Sequence, residues 1–394
     1  MGFLLVLTVA LILYGTLYPF DFGVQKGSVF ALLQMSLGGH VGFGDVISNV
    51  MLFLPFGFFA MQSVLMRAPR AARLIFVVVL GAAFSFGIES IQSYLPERVT
   101  DIYDIATDTA GTLLGAVLGW KDWRRELSRL RLDNRPVEMF PILLFCAWLG
   151  NRLFPFVPTI DVQNVKNALK PLFFGDFSPL SALNRSVITM VVYQLAVTIA
   201  PPGRIRIGLT LLPLGVIAIE PFIVGGLISR AEIVGTLVGM TIWWGILSRI
   251  GRNAGILALL LASQIVLQGL TPFAFNSNPG HFSFIPFAGF MAGSMSNGAL
   301  WVMEKIFVYG SLVWLTVKAG RSLPFSLVCG VVLLTGTKLA QIFVPGRVSE
   351  ITDPLMAVIL GLVLYFLDIR GTHYPTYPEN KPEDKWGVQP GRHR

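Results

Sequence analysis

The chain has 394 residues, of which 54% are hydrophobic and 13% charged, with a formal net charge of +8. The charged share is about half that of an ordinary soluble domain, at roughly 25%, which excludes a water-soluble globule. Two cysteines exclude a disulfide framework.

An apolar run of about 20 residues crosses the hydrocarbon layer as a helix. Twelve runs fit that description, at roughly 3–20, 46–66, 71–93, 104–120, 137–154, 181–200, 205–225, 231–248, 254–272, 298–317, 324–344 and 353–369. The expected fold class is therefore all-α, a polytopic transmembrane bundle of about 12 spans. The first run lacks a basic leader and a clear small-residue cleavage site, so it reads as a retained helix.

The basic excess orients the chain; it does not point to nucleic acid. Twenty of the thirty Lys and Arg lie in alternate loops and the C-terminal tail, while the opposite loops hold six. By the positive-inside rule both termini are expected in the cytoplasm. The basic loops then meet anionic lipid. The cysteines lie inside predicted spans and no zinc-type Cys/His spacing occurs, so neither a metal nor a cofactor is expected.

An internal repeat organises the chain. The first run ends in Leu17-Tyr18-Pro19-Phe20, the fifth in Leu153-Phe154-Pro155-Phe156 and the ninth in Leu270-Thr271-Pro272-Phe273. Between the third and fourth runs stand Gln92, Pro96, Arg98, Val99, Ile102 and Asp104. They return 249 positions later as Gln341, Pro345, Arg347, Val348, Ile351 and Asp353. A weaker echo holds Glu220, Arg230, Gly235 and Gly239. The expected organisation is three four-helix units, 1–123, 137–250 and 251–370. A basic amphipathic linker, 124–136, joins the first two and should lie on the inner interface. The tail, 371–394, is rich in Pro and charge and is expected to be disordered.

The richest stretch for chemistry is Glu89–Gly115, where Glu89, Glu97, Arg98, Asp101, Asp104 and Asp108 fall within 20 residues. Ionisable groups between membrane helices are costly and point to function unless capping explains them. Asn49, Glu89 and Asp108 all fall in the outer third of their spans. Asp101, Asp104 and Asp108 are spaced i, i+3 and i+7, one face of a helix. A shared outward-facing polar cavity would hydrate or pair them.

Unit one resembles the VanZ-like family, named for a teicoplanin-resistance protein. Asn49, Phe53, Pro55 and Gly57 match its second-span pattern, and Glu89 and Gln92 its third-span Glu-x-x-Gln. Arg98, Asp101, Asp104 and Gly111 match the following motif, with Asp108 where many members have Asn. The resemblance covers about 110 residues and implies a four-helix envelope protein without naming a reaction.

Bland readings compete at several positions. Asp104 reads as a helix cap, because its counterpart Asp353 is followed by Pro354. Arg98 is balanced between a loop clamp and a ligand contact, since it persists as Arg347. Glu89 and Asp108 become Lys338 and Ala357, so packing does not require them. Gln92 reads as an interhelical hydrogen bond and the glycines as close-packing positions. Glu304 and Lys338 are expected to pair within the membrane.

The expected site is therefore Asn49, Glu89, Gln92, Arg98, Asp101, Asp104 and Asp108 in unit one, binding or processing a lipid-linked glycan or a wall-derived substrate. A transporter or flippase is the alternative, favoured by repeats. A Mg²⁺-dependent prenyl or phospho-alcohol transferase is a third reading, from the Asp-x-x-Asp-x-x-x-Asp spacing.

Overall fold

A computed structural model describes residues 1–25, 43–96, 101–121, 131–132, 135–136, 138–200, 203–291 and 295–369. The expectations for Arg98 and for the tail fall outside these residues. The linker falls outside them except near its C-terminal end, where β1 (Arg131–Leu132) and β2 (Arg135–Pro136) form a short antiparallel ribbon.

The chain is a polytopic all-α bundle, and each of the twelve apolar runs contains a helix. Unit one holds α1 (Gly2–Leu17), α2 (Phe43–Met61), α3 (Arg70–Gln92) and α4 (Ile102–Leu118). Next come α5 (Met139–Leu153), α6 (Val162–Phe174), α7 (Pro179–Ile199), α8 (Arg204–Ile219) and α9 (Arg230–Gly245). The last group is α10 (Asn253–Leu270), α11 (Met295–Lys318), α12 (Leu323–Gln341) and α13 (Thr352–Leu364). Among the described residues, seven helices are long and apolar enough to cross a membrane, and α1, the apolar part of α2 and α5 are shorter apolar helices.

Local chemistry sets several helix starts. Ser178 and Ser322 cap α7 and α12 just before Pro179 and Leu323-Pro324, where the missing proline N–H costs nothing. Ser229 and Glu232 close a reciprocal capping box on α9. The short helix α6 was not expected from hydropathy. Asp161 caps it, and it exposes Val162, Phe173 and Phe174 in the manner of an interfacial helix.

The three Pro-Phe turns share one geometry. Phe20, Phe156 and Phe273 adopt φ of 63°, 61° and 62°, a left-handed backbone uncommon for a bulky residue. Just beyond each, one backbone N–H reaches the segment that follows α3, α8 or α12. Gly23 donates to the Tyr94 carbonyl, Thr159 to Phe222 and Asn276 to Phe343. One residue before the Leu-x-Pro-Phe turn a second contact recurs within the unit: Gln92 donates to the Thr16 carbonyl at 2.9 Å and Gln341 to Gly269 at 3.0 Å. At the corresponding place Arg152 is ion-paired to Glu220.

Glycines bring α2 and α4 into backbone contact. A Cβ on Gly111 would overlap the Val50 carbonyl, and one on Gly115 the Leu54 carbonyl. Gly235 and Gly239 of α9 lie in the same way on the Ala182 and Ser186 carbonyls of α7. Such close approach lets van der Waals packing hold helices where lipid is as apolar as leucine.

Unit one has its own core of Ile12, Phe53, Phe56, Ile88 and Leu95. The other helices share a second core that includes Phe140, Trp148, Tyr193, Trp243, Leu257 and Leu315. The two are joined by specific contacts, including Tyr14 Oη donating to the Pro286 carbonyl at 2.7 Å and Phe3 stacked on Phe366.

Candidate functional site

Helices α2, α3 and α4 bring five of the expected site residues together at one end of unit one. Asp101 precedes α4 and accepts a hydrogen bond from the Tyr103 N–H at 2.9 Å, so the helix cap is Asp101. The expectation that Asp104 caps the helix is overturned. Asp104 lies in the first turn and accepts from Asn49 Nδ2 of α2 at 2.6 Å.

Glu89 lies three residues before the end of α3, about 4.5 Å in at ~1.5 Å per residue. Its carboxylate accepts the Asp101 N–H at 2.9 Å, tying the end of α3 to the start of α4. One turn further along α4, Asp108 accepts from Ser85 Oγ of α3 at 2.7 Å through Oδ2. Asp108 Oδ1 is buried and has no hydrogen-bond partner among the described residues. Glu89 and Asp108 are 3% and 6% exposed, so both carboxylates lie inside the helix packing. Gln92 is turned away toward α1, on the Thr16 carbonyl.

The corresponding positions elsewhere show what the fold alone needs. Gly235 packs on α7 as Gly111 packs on α2, and this register puts Glu232 where unit one has Asp108. Glu232 is ion-paired to both Arg152 and Arg185. In unit three the position is Ala357. The buried acid is thus neutralised in one place, deleted in another, and left with an unsatisfied oxygen in unit one.

Unit three corrects a second expectation. Lys338 does not pair with Glu304. Its ammonium lies 3.1 Å from Asp353 Oδ2 and donates to the Val348 carbonyl at 3.1 Å. Lys305 reaches the same Asp353 oxygen at 3.2 Å and Tyr309 Oη at 2.6 Å. Depth along a span put Glu304 and Lys338 at one height, but helix rotation turns Lys338 toward the start of α13. Asp353 is therefore an ion-pair partner in the first turn of α13, not its cap. Arg347 gives its guanidinium to the Thr271 and Gln268 carbonyls at the end of α10, a loop clamp.

Ser85, Lys305, Tyr309 and Gln264 were not singled out by sequence reasoning. A polar residue inside an apolar run was the signal available for each. Helices α10, α11 and α12, with the loop before α13 and Asn184 of α7, line a cavity of about 530 Å³.

Taken together, the apolar helices, the helix-end carboxylates and the glycine-mediated contacts define a helical membrane protein built on a four-helix polar-ended unit. The VanZ/LLP1 family model matches residues 3–123, so this first unit is a VanZ-like domain. Searches of curated proteins and of solved structures returned no match.

Proposed function

We propose that this VanZ-like membrane protein is an envelope protein of the bacterial inner membrane, with both termini cytoplasmic. In this reading, unit one binds or processes a lipid-linked glycan or a wall-derived substrate. The observation that carries it is Asp108: a buried carboxylate with one oxygen unpartnered, where the equivalent acid is paired with two arginines in Glu232 and absent in Ala357. A buried polar atom with no partner is uncommon and calls for an explanation. A substrate hydroxyl or amide N–H arriving from the Asp101 end would supply the missing hydrogen bond.

The repeated turn geometry and the matching Gln92 and Gln341 bonds support three four-helix units, with unit one as the acidic member. Binding of a labelled undecaprenyl-diphosphate disaccharide to the full chain in nanodiscs tests this reading. Wild-type protein should bind, and Asp108→Asn at equal abundance should bind at least tenfold more weakly. Equal binding by the two would remove unit one from the site.

A further inference from the structure

The cavity in unit three lies apart from the carboxylate cluster and has unmet hydrogen-bonding capacity of its own. Gln264 of α10 lines it, is 3% exposed, and has neither amide nitrogen nor oxygen partnered among the described residues. Asp353, which also has the Tyr309 hydroxyl as a hydrogen-bond partner, keeps Oδ1 buried and without a geometric partner among the described residues. An ammonium has three donors. Lys305 uses two of them, on Tyr309 and Asp353, and Lys338 uses two, on Val348 and Asp353. Among the described residues Lys338 therefore has one N–H to give, while the Lys305 ammonium also lies 5.2 Å over the Trp301 ring.

The charges that line the cavity balance. Lys305, Lys338 and Arg347 stand against Glu304, Glu350 and Asp353. An anion would satisfy the lysines but leave Gln264 Oε1 and Asp353 Oδ1 unmet, and a cation would do the reverse. A hydroxyl donates and accepts at once, so several hydroxyls on one small ring answer both needs. Leu261, Ile265, Val308 and Leu334 supply an apolar wall beside the polar groups. The volume of about 530 Å³ falls in the usual range for a small-molecule site, about 300–1,000 Å³.

We propose that this cavity binds the hydroxyl-rich glycosyl head group of a membrane lipid, at a site separate from the unit-one cluster. Gln264 is the selecting residue, because its amide contributes a donor and an acceptor with no other use. Lys338, held in place by Asp353, gives a further donor. The inference does not depend on the unit-one reading.

The test is titration of monoglucosyl diacylglycerol into the full chain in phosphatidylcholine nanodiscs, read by native mass spectrometry. Wild-type protein should bind it at least tenfold better than diacylglycerol lacking the sugar. Gln264→Leu should lose that preference tenfold or more while keeping its thermal stability, and Gln264→Glu should weaken it as well. Asp108→Asn should leave it unchanged, which separates this site from unit one. Binding of free glucose with the same dependence on Gln264 would support hydroxyl recognition and reject lipid attachment. Preference for phosphatidylglycerol over the glucolipid would overturn the proposal in favour of an anion site. Absence of preference for any of these probes would overturn it altogether.

Discussion

Lys338 and Asp353 lie 3.1 Å apart, and the positions that correspond to them 249 residues earlier hold Glu89 and Asp104. An ion pair in one unit thus stands where two carboxylates stand in the other. Removing one partner of a buried pair leaves a stranded charge, which costs about 3–5 kcal/mol, more than the pair itself contributes. Lys338→Met and Asp353→Asn should each lower thermal stability in detergent, and the double variant should lose less than the sum. Because Lys305 shares the Asp353 oxygen, Asp353→Asn should be the worse single change. Additive losses in the cycle would disprove the coupling.

The same correspondence predicts the outcome of a charge swap. Glu89→Lys would put a lysine in unit one opposite Asp104, the arrangement unit three already folds with. The variant should reach the membrane at near wild-type abundance and lose function. Asp108→Asn should behave alike, since an amide can still accept from Ser85. A large fall in protein level for both, measured by quantitative blotting of membranes, would make these carboxylates structural.

Close helix contact makes a separate prediction. Gly115→Val would push into the Leu54 carbonyl of α2 and should cost about 1–3 kcal/mol, the range for overpacking. Gly87 has nothing within 4 Å of an added Cβ, so Gly87→Ala should be neutral or stabilising by under about 1 kcal/mol. Thermal unfolding in detergent compares the two; equal shifts would contradict the packing account.

Topology follows from the distribution of lysine and arginine. Single cysteines near 100, 229 and 348 should react with an impermeant reagent in intact cells, and cysteines near 126 and 380 should react only after permeabilisation. Labelling at 126 with protection at 100 would invert the orientation.

Much of the architecture was legible in the chain. Hydropathy marks where helices lie because each backbone must satisfy its own hydrogen bonds in lipid, one segment at a time. The recurrence of Gln92 as Gln341 at a spacing of 249 pointed to equivalent places, and both side chains do reach the carbonyl just before a Leu-x-Pro-Phe turn. Spacing along α4 likewise put Asp101, Asp104 and Asp108 at one end of unit one.

What the sequence left open was rotation and neighbourhood. Position in a span sets depth, which made Glu304 and Lys338 look like partners, but the azimuth of each helix is decided by which surfaces pack. Only the tertiary structure turned Lys338 onto Asp353, moved the cap from Asp104 to Asp101, and set Ser85 against Asp108. The cavity around Gln264 was hidden for the same reason. It is the space left between α10, α11 and α12, and no single helix carries a record of the gap its neighbours leave.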